Sequence, residues 1–190
     1  MLLAWADEGA RHLVFGPDHL LFLLAIVLCA GSARWLALAV LLFSIGHLAA
    51  MGAALSFGLP GHAAIEIGIG LSIVWAGWRA MNPAGGRELR TGAGVLGFGL
   101  VHGWAFGSEL GRLVLGVDGL LWPLLSFGVG LDVAQIIWCG LWYVGLKYGG
   151  RLVPPLQKPE NAAKLRRATA IVVVLGGAAF AVAAVTRVVS

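Results

Sequence analysis

Residues 12–30 read HLVFGPDHLLFLLAIVLCA, and this stretch decides what kind of chain this is. From Leu20 to Ala30 every residue is apolar or small, as a helix inside a bilayer requires. Yet His12, Asp18 and His19 stand at its head, where ionisable groups cost several kcal/mol by insertion scales. A segment that combines a membrane-type apolar run with such expensive residues points to a function inside the membrane. The rest of the sequence agrees: residues of the set AVILMFWYC make up 59% of the 190 positions and charged residues only 12%, a balance no ordinary soluble domain has. The chain therefore reads as all-α and polytopic, and a net charge of +4 is better explained by sidedness than by an acidic partner or nucleic acid.

Working outward, Gly31-Ser32, Gly58 to Gly61, Asn82 to Gly86, Gly116 to Gly119 and Gly149 to Pro159 break the apolar runs. They leave six predicted spans, at roughly 10–31, 34–57, 62–80, 91–112, 120–147 and 165–187, each near the length of about 20 residues that a bilayer demands. They form a single transmembrane domain over 1–190. No alternation of ten-residue segments suggests a β-barrel.

Basic residues sort by loop. Arg34, Arg79, Arg87, Arg90, Lys147, Arg151, Lys158, Lys164, Arg166 and Arg167 fall on one side, against Arg11, Arg112 and Arg187 on the other. A ten-to-three split places the richer side in the cytoplasm and both termini outside. The opening MLLAWADEGARH lacks a basic region, a short apolar core and a cleavage site in the usual order, so no secretory signal peptide is expected. Cys29 and Cys139 lie within apolar runs and read as packing residues.

The interior ionisable residues are few: His12, Asp18 and His19 in span one, His47 in span two, His62 and Glu66 at the start of span three, His102 and Glu109 in span four, Asp132 in span five. On the derived orientation all lie in the outer half of the bilayer or near its middle. Positions seven apart share a helix face, so His12 aligns with His19 and His102 with Glu109. Asp132, Gln135 and Cys139 form a further stripe. Gly16-Pro17 either kinks the first helix or ends a short outer segment, with Pro17 then opening the true span and Asp18 in its first turn. Span four carries Gly99, Gly103, Gly107 and Gly111 at four-residue intervals, a smooth face for close helix packing within the chain or in a homo-oligomer. His62, beside a turn, reads as structural more than as a ligand.

Imidazoles with carboxylates suit borderline divalent metals such as nickel, cobalt, zinc or copper, whereas calcium and magnesium want more oxygen ligands. The candidate metal residues are His12, Asp18, His19, His47, Glu66, His102, Glu109 and Asp132. Asp18 acts either as ligand or as the group orienting His19.

The motifs are similar to those of the HupE/UreJ family. HLVFGPDH matches the family's H-x5-D-H, and HGWAFGSE at 102–109 its later His-Gly-x-Ala-x-Gly-x-Glu pattern. FSIGHLAAMGAAL, IEIGIGLSIVWAG and SFGVGLDVAQ resemble its second, third and fifth helices. Phe106 stands where the family often has a second His, Asp132 where it has Glu, and Gly128 where it has Asn. The resemblance implies a nickel permease of the bacterial inner membrane, with a divalent cation as cargo and hydrogenase or urease maturation proteins as partners. Two rival readings stay open: an intramembrane zinc-type hydrolase, for which only Ser44 offers a weak nucleophile, and an accessory that binds metal without moving it. No phosphate-binding loop is visible, and no enzyme activity is expected.

Overall fold

In the computed structural model the described residues are 2–58, 63–81, 88–113, 119 and 121–189. His62 and Arg87 lie outside them, as do the side chains of Arg90, Glu109, Arg112 and Arg151. All described elements are helical: α1 (Leu2–Phe15), α2 (Pro17–Cys29), α3 (Ala33–Phe57), α4 (Ala63–Met81), α5 (Glu88–Leu113), α6 (Leu121–Leu152), a 3-10 turn at Pro154–Gln157, and α7 (Pro159–Val189).

Helices α3 to α7 fall where spans two to six are expected, with α6 and α7 running further into the basic segment that joins them. Among the described residues α3, α6 and α7 are long and apolar enough to cross a membrane, and α1 with α2 adds a fourth if that bent pair counts as one span. Helices α4 and α5 have the length but also carry Glu66 and Arg79, or a glycine-rich face with His102, which dilutes their apolarity.

The break expected at Gly16-Pro17 divides the first span region into two helices meeting at 73°. Pro17 has no amide hydrogen to donate and its ring would strike the carbonyl of the preceding turn, so α1 stops. The Gly16 amide closes it by donating to the Leu13 carbonyl at 3.2 Å, and the Leu20 amide opens α2 by donating to the Gly16 carbonyl at 3.1 Å. Pro17 takes the first helical position and Asp18 the first turn, the second of the two sequence alternatives. Gly16 fits because a Cβ there would sit 2.7 Å from the His12 carbonyl oxygen and 3.1 Å from Nδ1 of His19. With 13 residues α2 is about 20 Å long, too short to cross the hydrocarbon core alone.

Helix α2 is the axle of the bundle. Phe22 to Leu28 are all buried, surrounded by α3, α4, α6 and α7, and a helix that is apolar on every side needs such an enclosure. Around it the outer helices associate as close pairs: α3 with α5, α4 with α7, and α1 with α6. Glycine makes each pair possible. In the first, Gly99 and Gly103 lie directly on the Phe43 and His47 carbonyls, and a Cβ on Gly107 would meet the Met51 carbonyl at 2.7 Å. In the second, Gly70 and Gly77 rest on Ala181 and Val174; in the third, Gly9 and Gly130 face the backbones of Phe127 and Ala6. Gly99, Gly103 and Gly107 of the α5 stripe thus pack on α3 of the same chain, the first of the two uses expected of that face.

Candidate metal centre

Each of the four described histidines reaches the middle of the bundle from a different helix. His12 is in the last turn of α1, His19 in the first turn of α2, and His47 and His102 lie midway along α3 and α5. The 73° bend aims the end of one short helix and the start of the next at the same point, and the glycine contacts of α3 with α5 hold His47 and Gly103 backbone to backbone. Ring centroids of His12 and His19 are 4.8 Å apart, His19 and His47 5.5 Å, His12 and His47 6.0 Å, and His19 and His102 5.1 Å.

One nitrogen from each of His12, His19 and His47 lies within 4.8 Å of the others. Two imidazole nitrogens on one tetrahedral zinc-sized ion stand about 3.4 Å apart, from a metal–nitrogen bond of about 2.1 Å. The trio is more open than that, and could hold one cation only if its rings drew together by about an ångström.

The ring nitrogens are disposed for such a role. His19, His47 and His102 are buried, and His12 is half-buried. Among the described residues, His12 Nε2, both nitrogens of His47, both of His19, and His102 Nε2 have no hydrogen-bond partner. A buried polar group left unsatisfied costs about 1–3 kcal/mol, so these nitrogens call for a partner that the protein itself does not supply. His102 differs in having one nitrogen committed: its Nδ1 lies 2.8 Å from the Phe98 carbonyl, which can only accept, so Nδ1 donates and Nε2 keeps the lone pair. Asp18 Oδ2 stands 3.3 Å from Nδ1 of His19, at ion-pair distance without the alignment of a hydrogen bond. It supplies the negative charge closest to the imidazoles.

An aromatic wall surrounds the four rings. Phe43 stands 5.4 Å from His102 and Phe22 5.6 Å, while Phe106 lies 3.9 Å from His12 and Phe127 5.6 Å. Such walls exclude water and lower the local dielectric, which strengthens any ion–ligand interaction inside. Sequence reasoning marked Phe106 only as the place of a missing ligand and gave Phe22, Phe43 and Phe127 no part, though a signal existed: Phe98, His102 and Phe106 recur every four residues on α5, as do Phe43, His47 and Met51 on α3.

The remaining candidates lie elsewhere. Asp132 and the buried Gln135 are on α6, and Gln135 Nε2 donates to Asp132 Oδ1 at 3.3 Å and to Ser44 Oγ at 3.2 Å. Ser44 in turn donates to the Val40 carbonyl at 3.0 Å. Gln135 Oε1 is buried and takes no hydrogen bond. This network is one turn of α3 from His47 and borders a cavity of about 330 Å³ between α3 and α6, lined among others by Leu36, Cys139 and Tyr143. Glu66 is drawn away: its Oε2 pairs with Arg187 of α7 at 3.1 Å, both side chains substantially exposed. The structure thus brings together His12, Asp18, His19, His47 and His102, sets Asp132 on a neighbouring network, and leaves Glu66 on the rim.

Compared with known proteins, residues 1–185 match the family model described as HupE / UreJ protein. No curated protein and no solved structure matches the chain.

Proposed function

The chain belongs to the HupE/UreJ family, membrane proteins tied to metal handling in hydrogenase and urease maturation, of which transporters and accessories rather than enzymes are typical; from that premise we propose that it is a permease for a divalent transition metal. Nickel is the first choice of cargo, ahead of cobalt, zinc and copper, and the bacterial inner membrane is the site of action. The observation that carries the proposal is the convergence of four imidazoles from four helices, with six ring nitrogens that make no hydrogen bond among the described residues.

In this reading α1 and α2 together form the first of six spans, both termini lie outside, and the whole chain is one membrane domain. A cation shedding its water is received by His12, His19 and His47, with Asp18 holding His19 and offsetting charge, and His102 Nε2 as the next donor. Glu109, two turns along α5 from His102, is assigned to the approach. Past Ser44, the amide oxygen of Gln135 and the carboxylate of Asp132 offer oxygen donors leading into the cavity that runs down α3 toward Leu36. A loose chelate suits conduction, which needs sites strong enough to enter and weak enough to leave. Moving a dipositive ion inward down a membrane potential gains about 4.6 kcal/mol per 100 mV, enough to drive import without nucleotide hydrolysis.

A hydrolase with Ser44 as nucleophile is disfavoured, because its hydroxyl is committed to the Val40 carbonyl rather than to a histidine. The deciding experiment is uptake of nickel, cobalt, zinc and copper into proteoliposomes, with His19→Ala and His102→Ala as controls. Flux in the wild type that both variants lose is the expected result. Equal flux in all three overturns the path, and stoichiometric binding without flux turns the assignment to a metal-holding accessory.

A further inference from the structure

A second cavity lies at the far end of α2. It holds about 690 Å³ and is bounded by the ends of α2 and α4, by α6, and by the first turns of α7. Lys147, Arg166 and Arg167 all border it, and among the described residues no acidic side chain does. Its remaining wall is apolar, with Val27, Leu28, Met81 and Leu146. Three cations above an apolar floor, between helices of membrane-spanning character, make an amphipathic pocket of one sign.

Two of the cations are held in place. Arg166 donates through Nη2 to the Leu28 carbonyl in the last turn of α2, while its Nε is buried and makes no hydrogen bond. The Lys147 ammonium rests over the rings of Tyr143 and Tyr148, 5.4 and 5.6 Å from their centroids. The carbonyl ends of α2 and α4 contribute only about half a negative charge each, and Arg166 already engages one of them. The pocket is therefore net positive and would repel a dipositive cargo, so it is not the metal's way out.

We infer that this pocket binds the phosphate headgroup of an anionic phospholipid, with Lys147, Arg166 and Arg167 on the phosphate and the start of the acyl chains against Val27, Leu28, Met81 and Leu146. Basic pockets between membrane helices on the side richer in Lys and Arg take anionic headgroups by this chemistry. A freely soluble phosphate would gain nothing from the apolar floor. The inference rests on the membrane placement of the chain and is independent of whether it conducts metal.

The test is native mass spectrometry of the full chain in detergent, titrated in parallel with phosphatidylglycerol and phosphatidylcholine, with inorganic phosphate as competitor. One phosphatidylglycerol per chain should bind at concentrations where phosphatidylcholine does not. The exposed pair K147Q/R167Q should weaken that binding about thirtyfold, from roughly fivefold per cation, while K147R/R167K retains it. The pair K158Q/K164Q, which removes equal charge on the same side outside the pocket, should leave it intact. Equal binding of both lipids, equal loss in the K158Q/K164Q control, or displacement by millimolar inorganic phosphate would each overturn the proposal.

Discussion

The α3–α5 pair and the α4–α7 pair are built alike and do different things. Both rely on glycine to let two backbones touch: Gly99, Gly103 and Gly107 against α3, Gly70 and Gly77 against α7, with Gly177 returning the contact on Ile73. Inside the first pair lie His47 and His102, fully enclosed and short of hydrogen-bond partners. The second buries Ile69, Ile73, Val173 and Ala184, and its ion pair, Glu66 with Arg187, is displaced to an exposed end. Close packing is therefore a property of the scaffold, and it is the imidazoles that separate a working region from a frame. Small residues alone would have nominated both.

That contrast can be broken first at the histidines. Replacing His47 with Ala should reduce the metal loading of the folded fraction more than about a hundredfold, beyond the 10–100-fold typical of removing a ligand's supporting group, and should also cost about 2–5 kcal/mol of stability, because the fully buried ring leaves a cavity. Isothermal titration with nickel and cobalt reads the loss. Asp18→Asn, which removes charge but not shape beside His19, should cost about tenfold in the same assay. A larger loss than in the His47 variant would assign Asp18 as a primary ligand.

The glycines sharpen the comparison from the other side. Gly103→Ala and Gly77→Ala each force a methyl onto a neighbouring helix and should lower stability by about 1–3 kcal/mol, seen as a lower melting temperature in detergent. They should part company in function, since Gly103 abuts the His47 backbone and Gly77 abuts Val174. Metal affinity of the folded fraction should fall only for Gly103→Ala. Phe106→His tests the aromatic wall: the ring stands 3.9 Å from His12, so an imidazole there joins the chelate and should raise affinity about tenfold. The smallest effect is expected of Glu66→Gln, with stability altered by under about 1 kcal/mol, as for an exposed ion pair, and metal loading unchanged.

Much of this was legible in the sequence, for identifiable reasons. Apolar length and loop breaks place α3 to α7 because a bilayer admits few other solutions. Gly16-Pro17 marks the broken first helix, since proline's missing donor acts locally. The costly histidines announce the site through their rarity. Less legible was which polar residues meet. Glu66 looks like a site residue by sequence, and only the packing of α4 on α7 reveals Arg187 as its partner. The helical spacing of Asp132 and Gln135 is visible, but their link to Ser44 spans 91 residues and depends on how α3 and α6 cross. Phe106 stood out only as the position of a missing ligand, and the four-residue spacing of Phe43 with His47 did not reveal a wall, because an apolar residue in a membrane helix gains a role only once its neighbours are known.

X-ray absorption at the metal edge of nickel- or cobalt-loaded protein asks the central question directly, because imidazole rings give a countable outer-shell scattering signature. The account predicts at least two imidazoles per ion in the wild type, one fewer after His47→Ala, and no change after Glu66→Gln. A shell of oxygen donors alone, or an imidazole count indifferent to His47, would contradict it.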